Sequence, residues 1–146
     1  VETPAFLHLM ASNALHATVP LNFRGEVAGE SGESGEQVDL KKFGSRIFVD
    51  AARIFALSGG ARAVNTSARL IDAGPASGLL ADEIVAVDAA FSHILRLRLA
   101  HQIAAGPEGG NGVPLASLND IDRAILRESL KQARRLQQRL KLNYGL

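Results

Sequence analysis

The chain has 146 residues, 47% hydrophobic and 21% charged, which bounds it to one domain's worth of sequence with one sizeable core. Sixteen basic and fifteen acidic residues leave a net charge of +1, so bulk electrostatics make no case for nucleic acid or an anionic membrane as partner. The absence of cysteine excludes disulfides, thiolate catalysis and cysteine-ligated metal.

Twenty-three Ala and twenty Leu against seven Phe plus Tyr predict a mostly α protein. The first helix is expected over 4–17. Thr3 suits the N-cap and Pro4 the first helical position, where a missing N–H costs nothing. Leu7, Met10, Ala11 and Leu15 mark its buried face. Residues 21–42 read as a short extended or β-hairpin arm around AGESGESGE, with a mobile acidic tip best read as solvated loop.

The second helix is expected over 45–58, closed by Gly59-Gly60. Its sequence SRIFVDAARIFALS is apolar nearly all round, the signature of a central helix, with Asp50 and Arg53 as exceptions. A short helix over 66–73 follows, capped by Asn65 or Thr66. The fourth helix is expected over 80–104, and GPEGGNGVP after it reads as loop. The fifth runs from the capping-type sequence Ser117-Leu118-Asn119-Asp120 to about 142. Its buried stripe is read as Leu118, Ile121, Ile125, Ala133, Leu136 and Leu140, with a solvated basic outer face. Three long helices, a first helix and one short helix on short links predict an antiparallel helical bundle over 1–146.

No apolar run reaches the length of a membrane span, and the start carries no basic stretch leading into an apolar one, so no membrane segment or signal peptide is expected. Val1 at the start fits a piece of a longer protein.

Polar residues on apolar faces are the candidates for function. Asp50 and Arg53 lie three apart, on one face of the second helix. Arg98 shares a face with Phe91, Ile94 and Leu95, and His101 sits one turn on. A buried charge must be paired or cost several kcal/mol, so two readings stand. One is an interhelical network pairing Asp50 with Arg98 or Arg53. The other is a polar pocket for an anionic or polar ligand. Asn65, Thr66 and Arg69 open the short helix, either as ordinary capping or as an anion-binding end.

His8, His16, His93 and His101 show no metal-binding spacing, and no catalytic or phosphate-loop motif appears. Gly109-Gly110 followed by Asp120-Ile121-Asp122 imitates the carboxylate pair of a nucleotidyltransferase. The spacer NGVPLASLN cannot form the helix that pattern needs, and residues two apart at a helix start point in different directions. Catalytic and metal-binding residues are therefore not expected in this chain.

The stretch VDLKKFGSRIFVDAARIFALSGGARAVNTSARL, with FSHILRLRLAHQ and SLNDIDRAILRESLKQARRLQ, resembles a known family. It is the C-terminal domain to which substrate binding is ascribed in bacterial nucleotidyltransferase-like signalling proteins. The resemblance runs from about Phe6 to Gln137. Its most specific parts are Asp50, Arg53, Gly60, Asn65, Thr66 and Arg69, then Arg96, Arg98, His101 and Gln102. In the family this domain follows a catalytic domain related to the PII uridylyltransferases, often with CBS and cyclic-nucleotide-binding-like domains further upstream.

The resemblance implies that substrate is bound by Asp50, Arg53, Asn65, Thr66, Arg69, Arg98 and His101. It implies no cofactor in this chain, and Mg²⁺ with a nucleoside triphosphate in the parent protein. This chain alone is then not an enzyme. Its partners are the upstream catalytic domain and an acceptor protein or small molecule, with room for a homo-oligomer, in the cytoplasm. The alternative is a regulatory protein-interaction or dimerisation bundle of a signal-transduction protein. Accessibility separates the two: the first needs these residues in an open cleft, the second buries and pairs them.

Overall fold

Pro4 opens the first helix of the computed structural model, which describes residues 4–32 and 35–146. The Thr3 cap and the 33–34 tip of the acidic arm lie outside the described residues. Helix α1 (Pro4–Ala14) buries Leu7 and Ala11, with Met10 and Leu15 packed at the core edge. It stops three residues short of the expected end. The Gln137 side chain donates to the Ala17 carbonyl at 2.6 Å, tying this segment to the last helix instead of to another helical turn.

The arm folds as expected into a hairpin, β1 (Glu30–Gly32) and β2 (Gly35–Asp39), paired antiparallel. A third strand was not legible: β3 (Gly112–Pro114), from the segment read as loop, pairs antiparallel with β2 and sets Val113 opposite Val38. Both valines are buried, so burial of one apolar side chain per strand recruits a Gly- and Pro-flanked segment with little strand propensity of its own.

A π-helical turn (Lys41–Ser45) leads from the sheet into α2 (Arg46–Gly59). Asp39 Oδ1 fixes its entry by accepting from the Lys41 and Lys42 N–H groups at 3.1 and 2.9 Å. Helix α2 is central, as its composition predicts. Ile47, Phe48, Ala51, Ala52, Ile54 and Phe55 are all buried, and the Phe48 and Phe91 rings meet at 5.7 Å between centroids. It is not enclosed on every side, because Arg46, Val49 and Arg53 form an exposed stripe with half-buried Asp50. Gly60 at φ 67 closes the helix in the left-handed conformation that glycine adopts without steric cost.

Helix α3 (Thr66–Ala73) has the expected bounds. Helix α4 (Ala81–Ala105) packs along α5 (Asp120–Tyr144). Leu97 and His101 face Leu118 and Asp122, while Ala86 and Ala90 face Ser129 and Gln132, so the pair is antiparallel. The start of α5 differs from the sequence reading. Asn119, not Ser117, is the N-cap and accepts from the Asp122 N–H at 2.7 Å. The Ser117 hydroxyl donates instead to the Pro114 carbonyl at 2.7 Å, inside a short 3₁₀ turn. The buried stripe is Leu126, Leu130, Ala133, Leu136 and Leu140, whereas Ile121 is 71% exposed. Among the described residues the protein is thus a mostly α bundle of five helices with one small three-stranded sheet.

Candidate functional site

The exposed stripe of α2 carries the first group of candidate residues. Arg46 Nε lies 4.0 Å from Asp50 Oδ2, one helical turn away. Burial pushes the Asp50 carboxyl above the usual aspartate value, and the positive charges of Arg46 and then Arg53 pull it back. Asp50 is therefore a half-buried carboxylate between two guanidinium groups on its own helix. Pairing of Asp50 with Arg98 across the bundle is not found among the described residues. The i,i+4 geometry supplied a nearer partner in Arg46, a residue the sequence reading overlooked although its spacing from Asp50 was legible.

Arg98 reaches the start of α2 from α4. Its Nη1 donates to Ser45 Oγ at 2.9 Å, and the Ser45 hydroxyl donates to the Leu40 carbonyl at 3.3 Å. Ser45 is 3% exposed and Arg98 is half-buried. Among the described residues no carboxylate forms an ion pair with Arg98. Lys41, Lys42 and Arg46 occupy the same turn of chain around Ser45, so this end of α2 gathers positive charge. Ser45 entered the sequence reading only as a helix start; a buried hydroxyl has no sequence signal that separates it from an exposed one.

The second group shapes α3. Asn65 is the N-cap, its Oδ1 accepting from the Ala68 N–H at 2.8 Å. Arg69 Nε donates to the Ala63 carbonyl at 3.0 Å and so pins the 60–65 loop to the helix. Thr66 begins the helix and is half-buried, and Ser67 hydrogen-bonds the Asp88 carboxylate of α4. These bonds make α3 a braced element between α2 and α4.

His101 stands apart from both groups. Its Nε2 lies 3.2 Å from the Gly110 carbonyl and donates to it, holding the 106–112 loop. It lines a cavity of about 370 Å³ with Leu97, Val113, Ser117, Leu118 and Asp122, which Asp50, Arg53, Arg69 and Arg98 do not line. Among the described residues no three His, Asp or Glu side chains converge as a metal site. Asp120 and Asp122 sit in the first turn of α5, where Asp122 is engaged through its N–H in the Asn119 cap.

The basic outer face of α5 is only partly solvated. Arg123 donates to the Leu115 carbonyl at 2.7 and 3.2 Å, and Arg134 reaches the Leu21 carbonyl at 3.4 Å. Arg127 and Lys131 lie 3.5 and 3.1 Å from Glu128. The Lys131 hydrogen bond, aided by both charges, holds the Glu128 carboxyl below its usual value. No helix among the described residues is long and apolar enough to cross a membrane.

A helical bundle with a small sheet carries a cation-rich stripe on its central helix. The chain belongs to the family described as "Putative nucleotidyltransferase substrate binding domain", whose model matches residues 4–144. Comparison with curated proteins returned no match, and neither did comparison with solved structures.

Proposed function

We propose that this chain holds the acceptor for a nucleotidyl transfer catalysed in another domain of the same protein, in the manner of the PII uridylyltransferases. The observation that carries this reading is Arg98. A half-buried guanidinium bonded to a neutral hydroxyl keeps most of its charge and donors for an incoming anion. Arg46 and Arg53 offer further donors along α2, and Asp50 between them can accept from a polar acceptor group.

The chemistry divides accordingly. In a nucleotidyl transfer an acceptor oxygen attacks the α-phosphorus of a nucleoside triphosphate and pyrophosphate leaves. Catalysis of such a step rests on positioning and charge neutralisation. Arg98, Arg46, Arg53 and Asp50 supply acceptor binding and part of the neutralisation. Asn65, Thr66 and Arg69 act by positioning α3, and His101 by holding the 106–112 loop. In this reading Mg²⁺ and the triphosphate are held by the catalytic domain. A bacterial, cytoplasmic signalling protein with CBS and cyclic-nucleotide-binding-like domains upstream is the setting that fits this role.

The regulatory alternative, in the form that buries these residues as a mutually paired network, finds no support in the geometry. Asp50 pairs with Arg46 at the surface and Arg98 with Ser45.

The test uses the full-length protein with labelled UTP or ATP, Mg²⁺ and host lysate, with and without residues 4–144. A labelled acceptor that appears only when the segment is present, and is lost in Arg98→Ala and Asp50→Asn, is the expected result. Labelling that survives removal of the segment overturns the proposal.

A further inference from the structure

Phe23 is 94% exposed, and it is not on a loose segment. It tops a turn between the bridged residues Leu21 and Val27. The Asn22 N–H donates to the Glu26 carbonyl at 2.8 Å, and the Gly25 N–H to the Asn22 carbonyl at 2.9 Å. Asn22 Oδ1 accepts from the N–H groups of Arg24 and Glu26 at 2.9 and 3.1 Å. Gly25 at φ 78 lets the chain reverse. The Arg24 guanidinium lies over the Phe23 ring, 5.5 Å from its centroid.

The result is a preformed apolar knob with a cation on top. Lys131 and Arg134 of α5 flank it, while Glu26 turns to the cavity lined by Arg123 and Arg127. Aromatic and Arg side chains held rigid before contact are the usual anchors of protein interfaces, because little conformational entropy remains to be lost.

At the root of this knob the chain carries its complement. A cleft of about 290 Å³ is lined by Pro20, Ala28, Glu30, Val38, Asp39 and Phe43. Its charged lining groups are both carboxylates, and Glu36 of the same hairpin stands nearby, its Oε2 accepting from the Gly29 N–H at 3.2 Å. Lys42 is engaged over the Phe43 ring, 5.3 Å from its centroid. Pro20 and Ala28, joined by a backbone bond of 3.0 Å, carry the knob outward and also line the cleft, so the two features are continuous.

We infer that this face is a two-fold interface with a second copy of the chain, in which Phe23 and Arg24 of each copy enter the Glu30–Asp39 cleft of the other. A surface holding an element and its complement side by side is self-complementary, which is what a closed two-fold pair requires. The contacts match in chemistry: Arg24 meets the carboxylates Glu30 and Asp39, and the apolar ring meets Pro20, Ala28 and Val38. Other occupants, such as a single-stranded nucleic acid stacking on Phe23, would leave the chain a monomer in isolation.

Sedimentation velocity on the 146-residue chain tests this over a series from about micromolar to about millimolar. The expected mass climbs from 15.4 kDa toward twice that value. Phe23→Ala and Arg24→Glu each raise the dissociation constant at least about tenfold. At concentrations where the wild type is a monomer, both keep its circular dichroism and melting midpoint, since Phe23 and Arg24 are exposed. Glu30→Lys weakens the pair likewise, and an equimolar mixture of R24E and E30K chains regains it, through one native contact and one with its charges exchanged. A monomer at every concentration overturns the inference. So does a dimer indifferent to F23A and R24E, or a mixture that fails to associate.

Discussion

Arg98 of α4 donates to Ser45 Oγ at 2.9 Å, while Asp50, the carboxylate on the neighbouring helix, pairs with Arg46. The two groups that a buried network would have joined are thus separately placed. Arg98→Ala removes one charge-assisted hydrogen bond and leaves Ser45 its bond to the Leu40 carbonyl. The expected loss is about 1–2 kcal/mol in urea unfolding, below the roughly 3–5 kcal/mol of a broken buried ion pair. A loss in the higher range would mean that Arg98 is structural and that the anion-binding reading is wrong.

Asp50 gives a pH prediction with a definite sign. Burial raises its pKa, and Arg46 followed by Arg53 lowers it. An acid raised in the folded state favours folding while protonated. That contribution is complete below the unfolded-state pKa and is lost as pH rises through the folded-state pKa. Carboxyl carbon NMR titration should find Asp50 above an ordinary aspartate. Arg46→Ala should move it higher still, and Arg53→Ala should do so by less. A downward move in Arg46→Ala would show that the 4.0 Å pair does not persist in solution.

Gly44 sets how closely α4 approaches the start of α2. A Cβ at this position would stand 3.3 Å from Ile94 Cγ2, closer than ordinary van der Waals contact, and both residues are buried. Ile94 precedes Arg98 by one turn on α4, so the same approach brings Arg98 to Ser45. Gly44→Ala should cost about 1–3 kcal/mol by overpacking. It should also weaken substrate labelling in the full protein. Unchanged labelling with lost stability would separate packing from site geometry.

Much of the helical scaffold was legible because periodicity and capping carry it. Thr66–Ala73 has the expected bounds, and the central role of α2 follows from an almost wholly apolar segment. What escaped the sequence depends on contacts remote along the chain. β3 exists because Val113 meets Val38, and the π-turn before α2 because Asp39 holds Lys41 and Lys42. Ile121 and Leu126 have similar chemistry, and tertiary packing alone decides that Leu126 is inside and Ile121 outside. In the candidate site, Asp50, Arg53 and Arg98 stood out as polar residues on apolar faces. Their partners Arg46 and Ser45 did not, because a surface arginine and a helix-start serine look ordinary until the fold is known.

Asn65 separates a capping role from a binding role. Its Oδ1 accepts from the Ala68 N–H, satisfying one of the free donors at the start of α3. Asn65→Ala should cost about 1 kcal/mol, as should Asn119→Ala at the start of α5. Asn65→Asp keeps the acceptor oxygen and adds negative charge at the positive end of the helix, so it should hold or slightly raise stability. If Asn65 acts only by positioning α3, N65D labels the acceptor as the wild type does, and N65A loses labelling in step with stability. If its amide donates to an anionic acceptor, N65D fails in labelling although it folds at least as well. That outcome would move Asn65 from the scaffold into the site that Arg98 defines.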